Sequence, residues 1–269
     1  MDMNEKVYKP AAVHARISMA KNHLISVDSY ESDSDIINQD KRAKMPEIAK
    51  IYREYVQRCR LANAMDFDDL LVYTYRLFIE RKDVLEKYGN LFKYIMVDEY
   101  QDTNYVQKKI LSLLYNAMQE KAICAVGDDS QSIYSFRGAD IDNILSFTKD
   151  FPSQDGKEAK LFKLEQNYRS TQTIVEAANS LIHHNRNQIQ KEVFSKNDKG
   201  EKILYKPAYS DKEEALIVAK NIQRIKRQDD CGYDQFAILY RTNAQSRSFE
   251  EEFRKQGIPY RIYGGLSFY

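Results

Sequence analysis

The first third of the chain has the residue pattern of helices rather than strands. Glycine is absent before Gly89, and only Pro10 and Pro46 interrupt this stretch, so helix-breaking residues are rare. Residues 11–25 are predicted to form one helix, and the polar run DSYESDSD at 28–35 is expected to be a loop. A second helix is indicated by apolar side chains three or four positions apart, which share one helical face: Ile48, Ile51, Tyr52, Tyr55 and Val56.

A third helix is predicted to begin at Asp66, in the segment DFDDLLVYTYRLFIE. Its acidic residues Asp66, Asp68 and Asp69 lie where a helix favours negative charge, and where a carboxylate can accept a hydrogen bond from a free backbone amide. We therefore expect capping and first-turn charge from two of these three carboxylates.

After Gly89 the pattern changes to short apolar runs separated by longer amphipathic segments. Residues 93–97, 122–126 and 161–164 are predicted to be strands, and the first of them is expected to be buried. Residues 105–118, between the first two strands, are predicted to form a helix with one apolar face. A strand, a crossover helix and a second strand imply a right-handed parallel unit.

The second half of the chain again alternates strand-like and helical segments. A helix capped by Ser170 or Thr171 is followed by a strand-like run at 202–209 and by a helix that opens with the capping pair Ser210 and Glu213. Strands are predicted at 236–240 and 258–265, with a polar loop and a helix at 242–256 between them. This alternation predicts α/β architecture with parallel sheets. Four residues are expected to bury the first of these helices: Ile174, Ala177, Ala178 and Leu181.

Charged residues follow directly after the first two predicted strands. Asp98 and Glu99 end the first, and Gly127, Asp128 and Asp129 end the second. Because ligands of open α/β sheets bind beyond the carboxyl ends of the strands, these side chains are expected at the mouth of a site. An adjacent Asp-Glu pair suits a nucleoside triphosphatase, in which one carboxylate holds Mg²⁺ and the other activates water. Taken alone, such a pair is also typical of a helix cap or a solvated strand end.

Three segments occur in an order and spacing that resemble a known family. VDEYQDTN, GDDSQSIYSFRGAD and LEQNYRST resemble motifs II, III and IV of the UvrD/Rep-type superfamily 1 DNA helicases, and ILYRTNAQSR and IPYRIYGG extend the resemblance over essentially the whole chain. The resemblance implies ATP-dependent, Mg²⁺-dependent movement 3′ to 5′ on single-stranded DNA and unwinding of duplex DNA, in repair or replication. It also implies RecA-like P-loop NTPase lobes: a helical insertion at 1–88, part of the first lobe at 89–168 and part of the second lobe at 169–269.

The resemblance assigns five residues to ATP. It implies that Asp98 holds Mg²⁺ and that Glu99 activates the attacking water. Gln131 is similar to the motif III glutamine that reaches the γ-phosphate, although a loop amide can also cap backbone groups. Tyr168 resembles the aromatic residue that stacks on adenine, whereas a tyrosine at a strand end is otherwise usually a core residue. Arg169 resembles an arginine finger, which stabilises negative charge in the transition state.

A second group of residues is expected to contact DNA. Tyr134 and Phe136 are two positions apart, so in an extended segment they point to the same side, and Arg137 follows directly. Aromatic rings interleaved with a cation suit a single strand, because every base has a stacking face and every phosphate a charge. The family commonly has tryptophan where Phe136 stands, and its residues before Gln131 also differ from DDSQ here. Arg241 is a weaker candidate for a DNA phosphate, with a surface ion pair as the alternative.

Composition limits the remaining possibilities. With 41 basic and 40 acidic residues the formal net charge is +1, so DNA contacts must come from a local patch. The three cysteines are widely spaced and form no C-x-x-C motif, so they indicate neither a disulfide framework nor a zinc site. This pattern is typical of a cytoplasmic protein. The sequence begins without a signal peptide and has no apolar run of the roughly 20 residues that a membrane span needs.

One motif of ATP-dependent motors is absent from the 269 residues. The sequence has no G-x-x-x-x-G-K-[ST], since its Gly156-Lys157 is followed by Glu158. The later motifs of the second lobe are absent too, so we interpret the chain as an internal fragment of a helicase that hydrolyses ATP negligibly by itself. Two alternatives stay open at this stage: a helicase-nuclease subunit of the same superfamily, and a non-catalytic DNA-binding or protein-docking remnant.

Overall fold

The computed structural model describes residues 4–263 of the chain. By its internal contacts the chain divides into two compact units, residues 1–200 and residues 201–269. The division after residue 200 differs from the expected boundaries after 88 and 168, and those boundaries stay predictions.

The opening stretch is helical, as the scarcity of glycine and proline predicts. Pro10 occupies the first turn of α1, where its missing amide hydrogen has no helical partner to lose. Six helices follow one another: α1 (Pro10–Asn22), α2 (Val27–Ser32), α3 (Ser34–Arg42), α4 (Ile48–Leu61), α5 (Phe67–Glu80) and α6 (Lys82–Leu91).

The predicted loop at 28–35 is wrong, because this segment forms α2 and the start of α3. Ser26 accepts a hydrogen bond from the Ser29 amide, and Asp33 accepts one from the Ile36 amide. Polar residues in this segment and just before it therefore cap helices instead of preventing them. Tyr30 lies on the buried face of α2 and contributes to a core shared with α1 and α4: Val13, Ile17, Ala20, Tyr30, Ile48 and Tyr52.

The strand-helix-strand unit after Gly89 is present, with shorter strands than predicted. β1 (Ile95–Val97) pairs in parallel with β2 (Ile123–Ala125), and α7 (Tyr105–Ala117) connects them. The Asn104 side chain caps α7 and exchanges hydrogen bonds with Gln107. The prediction that β1 is buried is wrong for its outer face, since the side chain of Met96 is 78% exposed.

Two short helices follow the second strand and pack beside the α7 unit. These are α8 (Asp142–Leu145) and α9 (Phe147–Asp150). Their aromatic residues complete a second core, in which the rings of Phe147 and Phe151 lie 5.0 Å apart. Its fully buried members are Tyr100, Tyr115 and Phe151.

The third predicted strand, 161–164, is wrong. This segment pairs with no other strand among residues 4–263, and the Phe162 side chain is exposed. A short strand forms just after it, where β3 (Gln166–Asn167) pairs in parallel with β4 (Phe194–Ser195). α10 (Gln172–Ile182) lies between them and buries Val175. Its expected buried face is wrong: Ile174, Ala177, Ala178 and Leu181 are exposed.

The second unit has one helical core. α11 (Asp211–Asp229) and α12 (Ser246–Lys255) are the helices predicted there. Ser210 caps α11 as expected, but the Glu213 carboxylate accepts a hydrogen bond from the Tyr209 amide. The buried apolar residues come from both helices and the following turn: Ala215, Ala219, Ile222, Phe249, Phe253 and Ile258.

The strands predicted at 202–209, 236–240 and 258–263 are wrong for the described residues, and 264–265 lie outside them. In 236–240 the alternate residues Phe236, Ile238 and Tyr240 pack on the core while Leu239 is exposed, so the segment has the burial pattern of a strand without a partner. A strand requires a hydrogen-bonded neighbour about 4.8 Å away, which local sequence does not specify.

The described residues thus form a mixed helical fold with two small parallel sheets. RecA-like lobes and a helical insertion stay predictions. Across residues 4–263, we find no helix with the length and hydropathy required for a membrane span.

Candidate nucleotide and nucleic-acid site

The adjacent carboxylates lie at the carboxyl end of β1, as predicted. Asp98 and Glu99 are both exposed, and the Oδ1 atom of Asp98 accepts a hydrogen bond from the Glu99 amide at 2.9 Å. Glu99 has a φ of +49°, in the left-handed region that non-glycine residues rarely occupy. This sharp turn ends the strand.

Gln101 connects this turn to the loop after β2, and sequence reasoning missed it. Its side chain is 1% exposed. The Nε2 atom donates to Glu99 Oε2 at 2.8 Å, and the Oε1 atom accepts from the Asp128 amide at 3.0 Å. A Cβ on Gly127 would lie 2.6 Å from that same Oε1 atom, so glycine is required for this close approach. Nothing in the local pattern distinguishes Gln101 from other turn residues.

The loop after β2 holds Gln131 by its side chain. Asp129–Gln131 forms a 3₁₀ turn, and the Gln131 Nε2 atom donates to Asp128 Oδ2 at 2.8 Å. The other Asp128 oxygen accepts from the Ser130 amide at 3.1 Å. Gln131 is exposed. The structure therefore brings Asp98, Glu99 and Gln131 together through Gln101 and Asp128.

Lys191 is a second residue that sequence reasoning missed. Its ammonium group lies 2.6 Å from Asp128 Oδ1 and also binds Asp129 Oδ1. Burial by itself would lower the pKa of Lys191, but hydrogen bonds and negative charge from Asp128 and Asp129 raise it above the usual lysine value. The pKa of Asp128 is lowered despite burial, because Lys191 and Gln131 stabilise its carboxylate.

The DNA candidates Tyr134, Phe136 and Arg137 lie close together, although the expected extended segment is wrong. Ser135–Arg137 forms a 3₁₀ turn, because the Arg137 amide donates to the Tyr134 carbonyl at 2.8 Å. The two rings are 6.0 Å apart, and the Arg137 guanidinium lies 5.3 Å from the Tyr134 ring and 5.5 Å from the Phe136 ring. Phe136 is 68% exposed, which leaves its ring available for a ligand.

A polar contact fastens this aromatic turn to the end of α1. The turn ends at Gly138, whose φ of +88° favours glycine. Asn22 lies beside Gly138, and its Oδ1 atom accepts a hydrogen bond from Asn104 Nδ2 at 2.9 Å. Asn104 also pairs with Ala139 in an isolated bridge. The helical opening stretch therefore helps to position the candidate DNA contacts.

Tyr168 and Arg169 form a separate group just after β3. The Asn167 Oδ1 atom accepts hydrogen bonds from the Arg169 amide at 2.9 Å and the Ser170 amide at 2.8 Å. Tyr168 is 78% exposed and is not a core residue. Within residues 4–263, no hydrogen bond or ion pair joins either residue to Asp98, Glu99 or Gln131. Arg241 is exposed in the second unit.

The donor set at the end of β1 fits Mg²⁺. The described residues contain no cluster of three histidine, cysteine or acidic side chains that would enclose a metal ion. Mg²⁺ bound with nucleotide needs only one or two protein carboxylates, since water and phosphate oxygens supply its other ligands. Asp98 and Glu99 are two such carboxylates, and both are exposed.

Comparison with known protein families divides the chain into two parts. The UvrD/REP helicase N-terminal domain matches residues 1–152, and the UvrD-like helicase C-terminal domain matches residues 162–269.

Curated relatives match the chain over its full length. An ATP-dependent DNA helicase PcrA of Leuconostoc citreum is 40% identical over 269 residues, which are 100% of this chain and 34% of that protein. PcrA of Staphylococcus epidermidis is 43% identical over 268 residues, covering 100% of this chain and 35% of that protein. A probable DNA helicase II homolog of Rickettsia felis is 42% identical over 272 residues, with 100% and 39% covered. The chain thus spans between 34% and 39% of the length of these relatives.

Proposed function

The chain belongs to the UvrD/Rep-type family of superfamily 1 helicases, and on this premise we propose that it supplies residues for Mg²⁺-ATP hydrolysis and single-strand contact in a DNA helicase. The proposed helicase moves 3′ to 5′ along single-stranded DNA, unwinds duplex DNA and acts in repair or replication in the cytoplasm. The relatives named PcrA are ATP-dependent DNA helicases by name, which supports ATP as the nucleotide.

One observation carries the proposal for ATP. The Asp98-Glu99 pair and the Gln131 loop meet at the carboxyl ends of two paired parallel strands, where α/β proteins bind nucleotides. In this proposal Asp98 holds Mg²⁺, Glu99 orients and deprotonates the attacking water, and Gln131 contacts the γ-phosphate. When bound, the metal neutralises charge that develops on the phosphate oxygens.

The remaining site residues receive roles outside this cluster. Tyr168 is proposed to stack on adenine, because its exposed ring follows β3 directly. Arg169 is proposed to stabilise the transferred phosphoryl group. Tyr134, Phe136 and Arg137 are proposed to hold single-stranded DNA, with Arg241 as a further phosphate contact.

We further propose that the 269-residue chain hydrolyses ATP negligibly by itself. A P-loop supplies backbone amides and a lysine to the phosphates, and this sequence contains no G-x-x-x-x-G-K-[ST] segment. ATP hydrolysis is measured with and without single-stranded DNA, for the chain and for its Glu99→Gln variant. Turnover that disappears in Glu99→Gln would contradict this part of the proposal, and turnover that persists in Glu99→Gln would remove Glu99 from its role.

The metal assignment is tested without turnover. Mn²⁺ replaces Mg²⁺ and broadens the NMR signals of nearby nuclei, so titration of the ¹⁵N-labelled chain with Mn²⁺ and ATP is expected to broaden the amides around Asp98 and Gln131 first. Asp98→Asn should remove this selective broadening. Asp83→Asn, which changes an exposed carboxylate paired with Arg81, is the matched control and should keep it. Selective broadening that survives in Asp98→Asn would refute the proposed metal site.

A further inference from the structure

The buried amide of Gln101 has a fixed orientation. Its N–H group donates to the Glu99 carboxylate, and its carbonyl oxygen accepts from the Asp128 backbone amide. The reversed orientation would direct an oxygen at a carboxylate and an N–H at another N–H, and both contacts would be repulsive. Because the side chain is almost fully buried, water is a poor substitute for either partner. One buried side chain therefore connects the Asp128 backbone to the Glu99 carboxylate.

Asp128 and Asp129 are in turn held by the chain segment around Lys191. The Asp129 carboxylate is 1% exposed, binds Lys191 and accepts a hydrogen bond from the Ile189 amide at 2.8 Å. A buried carboxylate requires both charge compensation and hydrogen bonds, and here one short segment supplies both. Lys191 is 18% exposed, so its ion pair with Asp129 is largely removed from solvent, whereas Asp128 is 36% exposed.

The same segment is bonded to the strand that precedes Tyr168 and Arg169. The Glu192 amide donates to Glu165 Oε1 at 2.9 Å, and β4 begins two residues later beside β3. The Ser195 hydroxyl donates to the Ser170 carbonyl at 2.7 Å. Lys191 thus lies between two groups of candidate ATP residues that share no direct hydrogen bond or ion pair among residues 4–263.

From these contacts we propose that Gln101 and Lys191 are positioning residues, which couple the Asp98-Glu99 carboxylates and the Gln131 loop to the β3-β4 segment that carries Tyr168 and Arg169. The path runs from Glu99 through Gln101, Asp128 and Lys191 to residues 189–195. This inference rests on the proposed function, which gives Glu99 and Arg169 their catalytic roles. Movement of the β3-β4 segment then changes the position of the water-activating carboxylate.

The coupling is measured by NMR on the ¹⁵N-labelled 269-residue chain without nucleotide or DNA. Lys191→Met removes the charge but keeps the side-chain length. We expect it to speed hydrogen exchange at the Asp128 and Ile189 amides at least tenfold and to shift the Gln101 side-chain amide signals. Lys191→Arg should restore both readouts, because its guanidinium can still pair with the two carboxylates. Lys196→Met, at an exposed lysine directly after this segment, should change neither.

If Lys191 only stabilises its own segment, we expect a different result. In that case Lys191→Met accelerates exchange at Ile189 alone, while the Gln101 signals and the Asp128 amide stay unchanged, and the proposal is overturned. Failure of the ATP or metal tests above would leave this coupling intact, because the NMR readouts use no ligand.

A variant at the other end of the path tests the proposal even if Lys191→Met does not fold. Gln101→Met removes both hydrogen bonds of the amide without adding charge, and a coupled path requires faster exchange at Ile189, on the far side of Lys191. Unchanged exchange at Ile189 in a folded Gln101→Met chain would overturn the proposal even if Lys191→Met does not fold.

Discussion

Among single residues, Phe136 has the geometry of a stacking contact. Its ring is exposed, yet the ring of Tyr134 and the guanidinium of Arg137 lie close enough to hold it in place. Base-aromatic stacking contributes about 1–3 kcal/mol per base by alanine substitution. We expect Phe136→Ala to weaken binding of an oligothymidine single strand by that amount, measured by fluorescence anisotropy at fixed salt.

Phe162→Ala is the matched control, because Phe162 is also an exposed phenylalanine of the same unit. Its affinity for the oligonucleotide should stay unchanged. Equal affinities for the Phe136→Ala variant and the unaltered chain would show that no base stacks on this ring.

A second feature at the level of single residues is a buried cluster of charged side chains, which joins the end of α1 to the start of α5. The side chain of Lys21 is 3% exposed and contacts Asp66 at 2.6 Å and Asp69 at 2.7 Å. The Tyr55 hydroxyl donates to the same Asp66 carboxylate at 2.8 Å. The residues expected to cap α5 therefore do so through the Asp66–Asp69 capping box and also neutralise a lysine of α1.

Removal of Lys21 should be costly. Lys21→Met leaves two partly buried carboxylates without their cation, and breaking a buried pair in this way typically costs about 3–5 kcal/mol. We expect a loss of that size in the free energy of unfolding, measured with urea. Lys50→Met changes an exposed lysine of α4 and should have little effect. A small loss in Lys21→Met would show that the cluster contributes little to stability.

The same cluster predicts a dependence on pH. Burial opposes ionisation of Asp66, but Lys21, the Asp69 amide and Tyr55 outweigh it and lower the Asp66 pKa below its usual value. The resulting stability is therefore complete above the ordinary aspartate pKa and is lost as pH falls through the lowered one. The difference in unfolding free energy between the unaltered chain and Asp66→Asn should shrink in that acid range. A difference independent of pH would contradict this assignment.

Among the elements, the contact between α6 and α7 depends on Gly89. A Cβ at this position would lie 2.7 Å from both the Cβ and the carbonyl oxygen of Ala117. Alanine is the better helix former by about 0.5–1 kcal/mol, whereas overpacking a core typically costs about 1–3 kcal/mol. The steric cost is larger, so Gly89→Ala should destabilise the chain.

Urea unfolding distinguishes the gain in helix propensity from the steric cost. Glu86→Ala, at an exposed position of α6, reports the effect of alanine in the helix without the contact and should change stability by less than about 0.5 kcal/mol. A more stable Gly89→Ala chain would mean that the two helices separate easily at this point.

At the scale of the whole molecule, the nearly neutral charge means that the proposed DNA binding must depend on a few cations. With a formal net charge of +1, the chain has no large basic field. The loss of one phosphate contact should therefore be measurable in the salt dependence of the binding constant. On single strands the slope of log K against log salt falls by about 0.7 for each lost contact. Arg137→Gln should reduce the slope by about that amount.

Arg58→Gln is the control for this measurement, because Arg58 is an exposed arginine already paired with Glu54 at 2.7 Å. Its slope should match that of the unaltered chain. An unchanged slope in Arg137→Gln would show that Arg137 supports the aromatic rings and does not contact phosphate.

Local sequence was sufficient for much of the helical structure and for the position of the adjacent carboxylates after β1. Helical spacing around Tyr52 and the capping signals at Asp66 and Ser210 each involve residues within one or two turns, so they do not depend on a distant contact. The same is true of the Asp98-Glu99 pair at the end of β1. Those features were predictable because their causes lie within a few residues.

Only the tertiary structure decided which segments pair and which distant groups meet. The run at 161–164 has apolar residues but no strand beside it, and the polar run at 28–35 forms helices around the buried Tyr30. Gln101 meets Asp128 across 27 positions, and Lys191 meets Asp128 across 63. Such contacts depend on the conformations of all the intervening turns and on burial that excludes water, and neither is encoded in a local pattern.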